Sequence, residues 1–354
     1  MSLFRHIRFC LLLLPLLAGC GKDSYLDGKQ GVISFSPAVT VETKTGSDKP
    51  ADQSVLIADG KQISIFGQLV LNEGEQNESV THIFSNRILS CSGSPGNYAW
   101  NYSPLQYWEE EGHYYFAGVY PYHASNVSLG NDFYINVLYR AGDNNDLMVA
   151  RGHRNMSPSV NKSEVLLQFN HACSAVRFLF GKESTVATAD EFTLTNFSLS
   201  GLSVSGTLRA QAQMTTNPLV SSESHDAAYW IPGSLGTLFS WTADTQAARK
   251  NIPHPATEHD PDGYLQMGWY YMVPQTLAAS AAVSFSISYS GQTPMATEFS
   301  LTDRDGVAGA DTWQPNQVYN YYITITKSGL ELTVERTLWD SVNVSTDNMT
   351  FMPS

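Results

Sequence analysis

Strict alternation of apolar and polar residues is the feature that most constrains this chain. Ile33, Phe35, Val39 and Val41 fall on one face of "GVISFSPAVTVETK", and Ile63, Ile65, Leu69 and Leu71 on one face of "KQISIFGQLVL" around Gly67. "VSFSISYSG" sets Val283, Phe285, Ile287 and Tyr289 against Ser and Gly, and "VYNYYITIT" sets Tyr319, Tyr321, Ile323 and Ile325 against Asn320, Tyr322, Thr324 and Thr326. A period of two describes strands with one buried and one solvated face. Such strands pair antiparallel and stack as sandwiches. Turn signals at Ser92-Gly93, Asp262-Gly263, Ser290-Gly291 and Asp305-Gly306 punctuate them. No amphipathic run predicts a helix longer than about three turns. The expected class is all-β, with helices only as short connectors.

The first nineteen residues have another logic. Arg5 and Arg8 precede an apolar run from Phe9 to Ala18, too short for a permanent membrane span, which needs about 20 residues. This is the layout of an export signal. Leu17-Ala18-Gly19-Cys20 resembles a bacterial lipobox, which is cut between Gly19 and Cys20 and acylated on the cysteine. Each acyl CH₂ buried in a bilayer contributes about 0.8 kcal/mol of anchoring. Residues 20–31 then read as a polar tether.

Charge narrows the partners. The net charge is −13, and it becomes −15 once Arg5 and Arg8 leave with the signal, with 18 Lys and Arg facing 33 Asp and Glu. That argues against nucleic acid and against adsorption to anionic membranes. With Cys10 in the signal and Cys20 in the lipobox, Cys91 and Cys173 remain, either as small buried hydrophobes or as a disulfide pair.

Signals of catalysis are poor. There is no HExxH pair, and "SGSPG" lacks the first glycine of a nucleophile elbow. "HDPDG" and "DRDG" read as turns, since neither continues into a calcium-ligand series. Glu109-Glu110-Glu111 reads as a solvated turn and His171 as a core or edge histidine. No enzyme activity, cofactor or metal is expected. Tyr102, Tyr107, Trp108, Tyr114, Tyr115, Tyr120 and Tyr122 read as sandwich core, with a glycan-stacking platform on a surface lipoprotein as the alternative.

Several stretches, in order, resemble the fimbrillin family, the type V pilus subunits of anaerobic gut and oral bacteria. They are the lipobox, the "ISF" strand, "ISIFG", "WNYSPLQYWEEEGHYYFAGVYPY", "NDLMVARG", "LLQFNHACSAVRFLF", and "WQPNQVYNYYITIT" followed by "LELTVERTLWDS". The resemblance implies two tandem transthyretin-like β-sandwiches with Greek-key type strands. The polar stretch "RGHRNMSPSVNKS" suggests the division, giving residues 32–160 and 161–354, with "VLLQFNHACSAVRFLF" opening the second domain.

The resemblance also implies assembly by strand exchange with other pilus subunits. A lipidated precursor reaches the outer membrane and is cut in the loop after its first strand. The strand holding Ile33, Phe35, Val39 and Val41 is lost, and a neighbour's strand fills the groove. Family stalk subunits are typically cut after Arg, yet no Arg lies between Cys20 and Arg87, which leaves Lys44, Lys49 and Lys61. The alternatives are a Lys-directed protease or an uncut anchor that keeps its lipid. Residues 342–354, with Val342, Val344, Met349 and Phe351, are the candidate donor tail, or else simply the last strand. A role in adhesion to host or bacterial surface glycans or proteins follows from the same resemblance.

Overall fold

The computed structural model describes residues 31–39, 56–109, 111–122, 125–129, 134–156, 164–211, 229–258, 260–302 and 311–339. It is an all-β molecule. Seven strands make the first sheet: β1 (Phe35–Val39), β2 (Gln62–Leu71), β3 (Ser79–Ser94), β4 (Asn97–Asn101), β5 (Gly112–Tyr120), β8 (Met148–Met156) and β9 (Val165–His171). Their spatial order is β1-β9-β8-β5-β2-β3-β4. A second sheet joins β6 (Val127–Leu129), β7 (Tyr134–Arg140), β12 (Ser205–Gln211) and β13 (Tyr229–Pro232) in the order β13-β12-β7-β6.

The third sheet holds β10 (Ser174–Lys182), β16 (Leu265–Gln266), β17 (Tyr270–Met272), β22 (Gln317–Ile325) and β23 (Leu330–Leu338). It runs β16-β10-β22-β23, with β17 also on β10. The fourth contains β11 (Phe192–Ser203), β14 (Leu235–Thr242), β15 (Lys250–Asn251), β19 (Ala282–Tyr289) and β20 (Met295–Ser300), in the order β14-β11-β19-β20 with β15 on β11. A two-stranded ribbon of β18 (Gln275–Thr276) and β21 (Thr312–Trp313) completes the set. Short 3-10 turns at Ala141–Asp143, Gln246–Ala248 and Pro261–Gly263 act as connectors.

Burial departs from the simple one-face pattern. Ile63, Ile65 and Leu69 of β2 enter one core with Phe84, Phe116 and Phe169. Phe66, on the other face of β2, packs with Val119, Val137, Tyr139 and Phe178 in a second, larger core. The central strands of the first sheet therefore lie between two apolar layers, and even Ser64 and Gln68 are buried. Strands sealed on both faces cannot keep a solvated one. β9 keeps the alternation: Val165, Leu167 and Phe169 are fully buried while Leu166 is half exposed.

The run "VLLQFNHACSAVRFLF" does not act as one unit. It divides at Ala172-Cys173 into β9, which pairs antiparallel with β8 in the first sheet, and β10, which pairs parallel with β22 in the third. The alternating face of β9 seals the first core, whereas β10 is buried throughout and belongs to the second. The two halves of the chain are also stitched together. β7 pairs with β12 over seven residues, Tyr134–Arg140 against Ser205–Gln211. Asn144, held at φ 48°, donates from Nδ2 to the Trp269 carbonyl at 2.8 Å and accepts from the Tyr271 N–H at 2.9 Å.

Candidate functional site at the β1 edge

The first sheet is antiparallel everywhere except at its β1 edge. There β1 runs parallel to β9, with Phe35 opposite Val165, Pro37 opposite Leu167 and Val39 opposite Phe169. The chain reaches this edge through a second set of bonds. The Trp108 N–H donates to the Gly31 carbonyl (3.1 Å), the Ile33 N–H donates to the Gln106 carbonyl (2.9 Å), and Val32 bridges Tyr107. The Val165 N–H then donates to the Ser34 carbonyl at 2.8 Å. Tyr102 Oη clamps the crossover by donating to the Ile33 carbonyl at 2.7 Å.

Backbone alternation from Ser34 aims the polar groups of Ser36 and Ala38 at β9 and those of Pro37 at the open edge. A missing N–H there removes no ladder bond, and it blunts the edge against unwanted pairing.

Beneath the segment lies an aromatic trough. Ile33 is fully buried and Phe35 is 5% exposed. The Phe35 ring meets Phe116 at 5.4 Å, Phe84 at 5.5 Å and Tyr102 at 5.9 Å, each edge to face. Val165, Leu167 and Phe169 form the β9 wall, while Trp108 packs on Tyr114 at 4.7 Å. Burying Ile33 and Phe35 contributes about 1.5–3 kcal/mol each, before the specific ring contacts are added. Burial also raises the Tyr102 phenol above its ordinary pKa, with the Gln106 N–H drawing it partly back. The clamp therefore stays protonated as a donor throughout the neutral range.

Of the four residues expected on the displaced strand, Ile33 and Phe35 sit together in the trough. The Val39 side chain and all of Val41 lie outside what the structure describes. So do Gly19, Cys20, Lys44, Lys49, Val342, Val344, Met349 and Phe351. Lys61 immediately precedes β2. Its N–H donates to the Ala58 carbonyl (3.1 Å), and its carbonyl accepts from the Cys91 N–H (2.8 Å), so its backbone is engaged on both sides.

Trp108, Tyr114, Tyr115 and Tyr120 are buried, as expected of sandwich core. The trough lining drew on this same aromatic run, which could have been read from sequence as the wall facing the first strand. Cys91 and Cys173 are both free and buried. Among the described residues, no group of three or more His, Cys, Asp or Glu gathers to hold a metal.

The far end of β9 carries a feature that spacing did not reveal. His171 is fully buried, with Nδ1 2.9 Å from Asp146 Oδ2. Its ring stacks on Trp339 at 3.9 Å and 7°, and Trp339 in turn stacks on Tyr271 at 5.7 Å. Trp339 is the last described residue before the C-terminal tail. The tail is thus rooted at the C-terminal end of the strand that β1 covers.

Comparisons with known proteins agree with this architecture. The fimbrillin-like family model matches residues 43–340. A fimbrial protein from Bacteroides vulgatus ATCC 8482 superposes with a TM-score of 0.51 at 13% identity, covering 87% of this chain and 99% of that one. A candidate cell adhesion protein from Bacteroides uniformis ATCC 8492 gives 0.50 at 16% identity, with 87% and 98% covered. Another from Bacteroides ovatus ATCC 8483 gives 0.50 at 14%, with 88% and 99% covered. No curated protein matches the sequence. At such identities the superpositions speak to fold, and the family match over most of the chain decides membership: the protein belongs to the fimbrillin-like family.

Proposed function

We propose that this protein is a structural subunit of a type V pilus, assembled by strand exchange and supporting adhesion. In this reading it is exported as a lipoprotein on Cys20 and displayed at the outer membrane and in the surface fimbrium. Its partners are other pilus subunits. One observation carries the proposal: a short, parallel edge strand fills an aromatic trough, and its loss would bare both the rings and the β9 ladder. An open edge with pockets for alternate side chains is the standard acceptor for an added strand. The loop of residues 42–54, with Lys44 and Lys49, is the proposed place of cleavage. An uncut chain would instead serve as a lipid-held anchor.

The glycan-module alternative has less support, because Trp108, Tyr114, Tyr115 and Tyr120 of its aromatic run are packed inward, which leaves Tyr102, Tyr107 and Tyr122 partly exposed. Limited trypsin digestion of the purified precursor tests the proposal, followed by native and unboiled gels. Cleavage between Glu42 and Lys61 with the core intact, then boiling-sensitive ladders, is the expected result. A cut chain that stays a monomer would overturn strand exchange.

A further inference from the structure

A notch opens in the first sheet where β4 stops. β4 ends with Asn101 opposite Ser90, so residues 85–88 of β3 lie beyond it and pair only with β2. That stretch also carries a bulge: the step from Ile65 to Gly67 on β2 faces the longer step from Arg87 to Phe84 on β3. Asn86, inside the bulge, sits at φ 48°, a left-handed conformation that Asn tolerates. Bulges at a sheet edge re-aim the side chains around them. Tyr102 and Ser103 line the notch as the chain leaves β4, and so does Tyr122, whose N–H donates to the Gln62 carbonyl at 2.9 Å. The cleft so formed measures about 670 Å³, within the range of roughly 300–1,000 Å³ usual for small-ligand sites.

Its lining is polar and holds no carboxylate, in a chain with 33 Asp and Glu against 20 Lys and Arg. The single cation is Arg87, half-buried, with Nη1 donating to the Ser103 carbonyl at 2.9 Å. Among the described residues no carboxylate forms an ion pair with it. One of five guanidinium donors is thus used to fix the planar fork, and the others remain to meet an anion. Gln62 Nε2 donates to Ser90 Oγ at 3.4 Å, and Asn101 Nδ2 donates to Ser92 Oγ at 3.2 Å and to the Ala99 carbonyl at 3.4 Å. The amide nitrogens are engaged, so the amide oxygens of Gln62 and Asn101 are left as acceptors. Tyr102 and Tyr122 add half-buried ring surface, and Tyr102 Oη is committed to the Ile33 carbonyl.

A ligand that covers such groups must replace the water bonds they lose, because a polar group buried without a partner costs more than its bond contributes. An apolar ligand cannot do this, whereas a polyol with a carboxylate can. We infer that this cleft binds a carboxylate-bearing saccharide, a sialic or uronic acid residue. Arg87 takes the carboxylate, Gln62 and Asn101 accept from hydroxyls, and Tyr102 and Tyr122 face the sugar ring. The inference rests on the adhesion part of the proposed function and names its ligand class. It needs no strand exchange, since the cleft is complete in the uncut chain.

Isothermal titration of the purified, uncut protein tests it, with 3′-sialyllactose, trigalacturonate and, as the uncharged comparison, lactose. Saturable binding of one of the acids is expected at about millimolar concentration or below, and the acid that binds identifies the source of the carboxylate. Lactose should bind at least ~10-fold more weakly, for want of the charge-assisted bond. Arg87→Gln should weaken binding of the acid about 10- to 100-fold at an unchanged melting temperature. Should that variant lose its fold along with the Ser103 tie, Asn101→Ala and Tyr122→Ala decide, each expected to weaken binding about 3- to 10-fold. No binding of either acid overturns the inference. So does binding no tighter than that of lactose, or binding that none of the three substitutions weakens. None of these results touches the pilus reading, which ladder formation after loop cleavage decides.

Discussion

Replacing Phe35 with alanine should loosen the plug without unfolding the molecule. Phe35 is 5% exposed and touches three aromatic rings within 6 Å. Removing a buried Phe side chain costs about 3–5 kcal/mol. At about 1.4 kcal/mol per decade, that raises the plug-open population by a factor of roughly 10² to a few times 10³. β1 is held by one ladder and by the bonds of Gly31 to Ser34, so the cost should fall on local opening rather than on the whole fold. Hydrogen exchange followed by mass spectrometry on the uncut protein reads this directly. Amides of β9 should exchange faster, while those of β22 and β23, in another sheet, should keep their rates. Phe35→Leu should give a smaller effect in the same peptides. Uniform acceleration across all sheets, with a matching fall in the melting temperature, would refute the idea of a separable plug. β1 would then belong to a single cooperative core.

Other tests follow from particular contacts. A Cβ at Gly118 would sit 2.7 Å from Phe169 Cζ on the trough wall, so Gly118→Ala should cost about 1–3 kcal/mol, read as a fall in melting temperature. Burial raises the phenols of Tyr102, Tyr114 and Tyr139 above the unfolded value of about 10. Their contribution to stability is therefore complete below about pH 10 and falls as pH rises past it, which denaturant midpoints from pH 8 to 11 should show. Truncating one partner of the buried His171–Asp146 pair, as in His171→Ala, should cost about 3–5 kcal/mol and free the Trp339 ring, seen as a shift in tryptophan emission. Labelled palmitate should enter the wild-type protein and not Cys20→Ser.

Much of the plug was legible in the sequence. The alternation of Ile33 and Phe35, and of Val165, Leu167 and Phe169, reports directly which side chains face a core. The pairing of these two strands was not legible. They lie 130 residues apart in register, and period-two patterns carry no information about neighbour or direction. The double burial of β2 and β5 was hidden for a related reason. Ser64 and Gln68 look solvent-facing by type, yet a second apolar layer covers that face of the sheet. The break inside "VLLQFNHACSAVRFLF" was masked by unbroken hydrophobicity, because both cores demand apolar residues and only the register of hydrogen bonds separates β9 from β10. His171 looked like a core histidine and is one, but its partner Asp146 and its stacking on Trp339 depend on contacts between distant segments.

The central claim is that β1 is a replaceable strand, and the mass of assembled subunits tests it most directly. After loop cleavage, ladders should be isolated without boiling, then denatured and weighed by mass spectrometry. The account predicts polymer subunits that have lost the fragment carrying Ile33 and Phe35, with the freed peptide left in the monomer fraction. Ladders whose subunits retain that fragment, one per subunit, would contradict it.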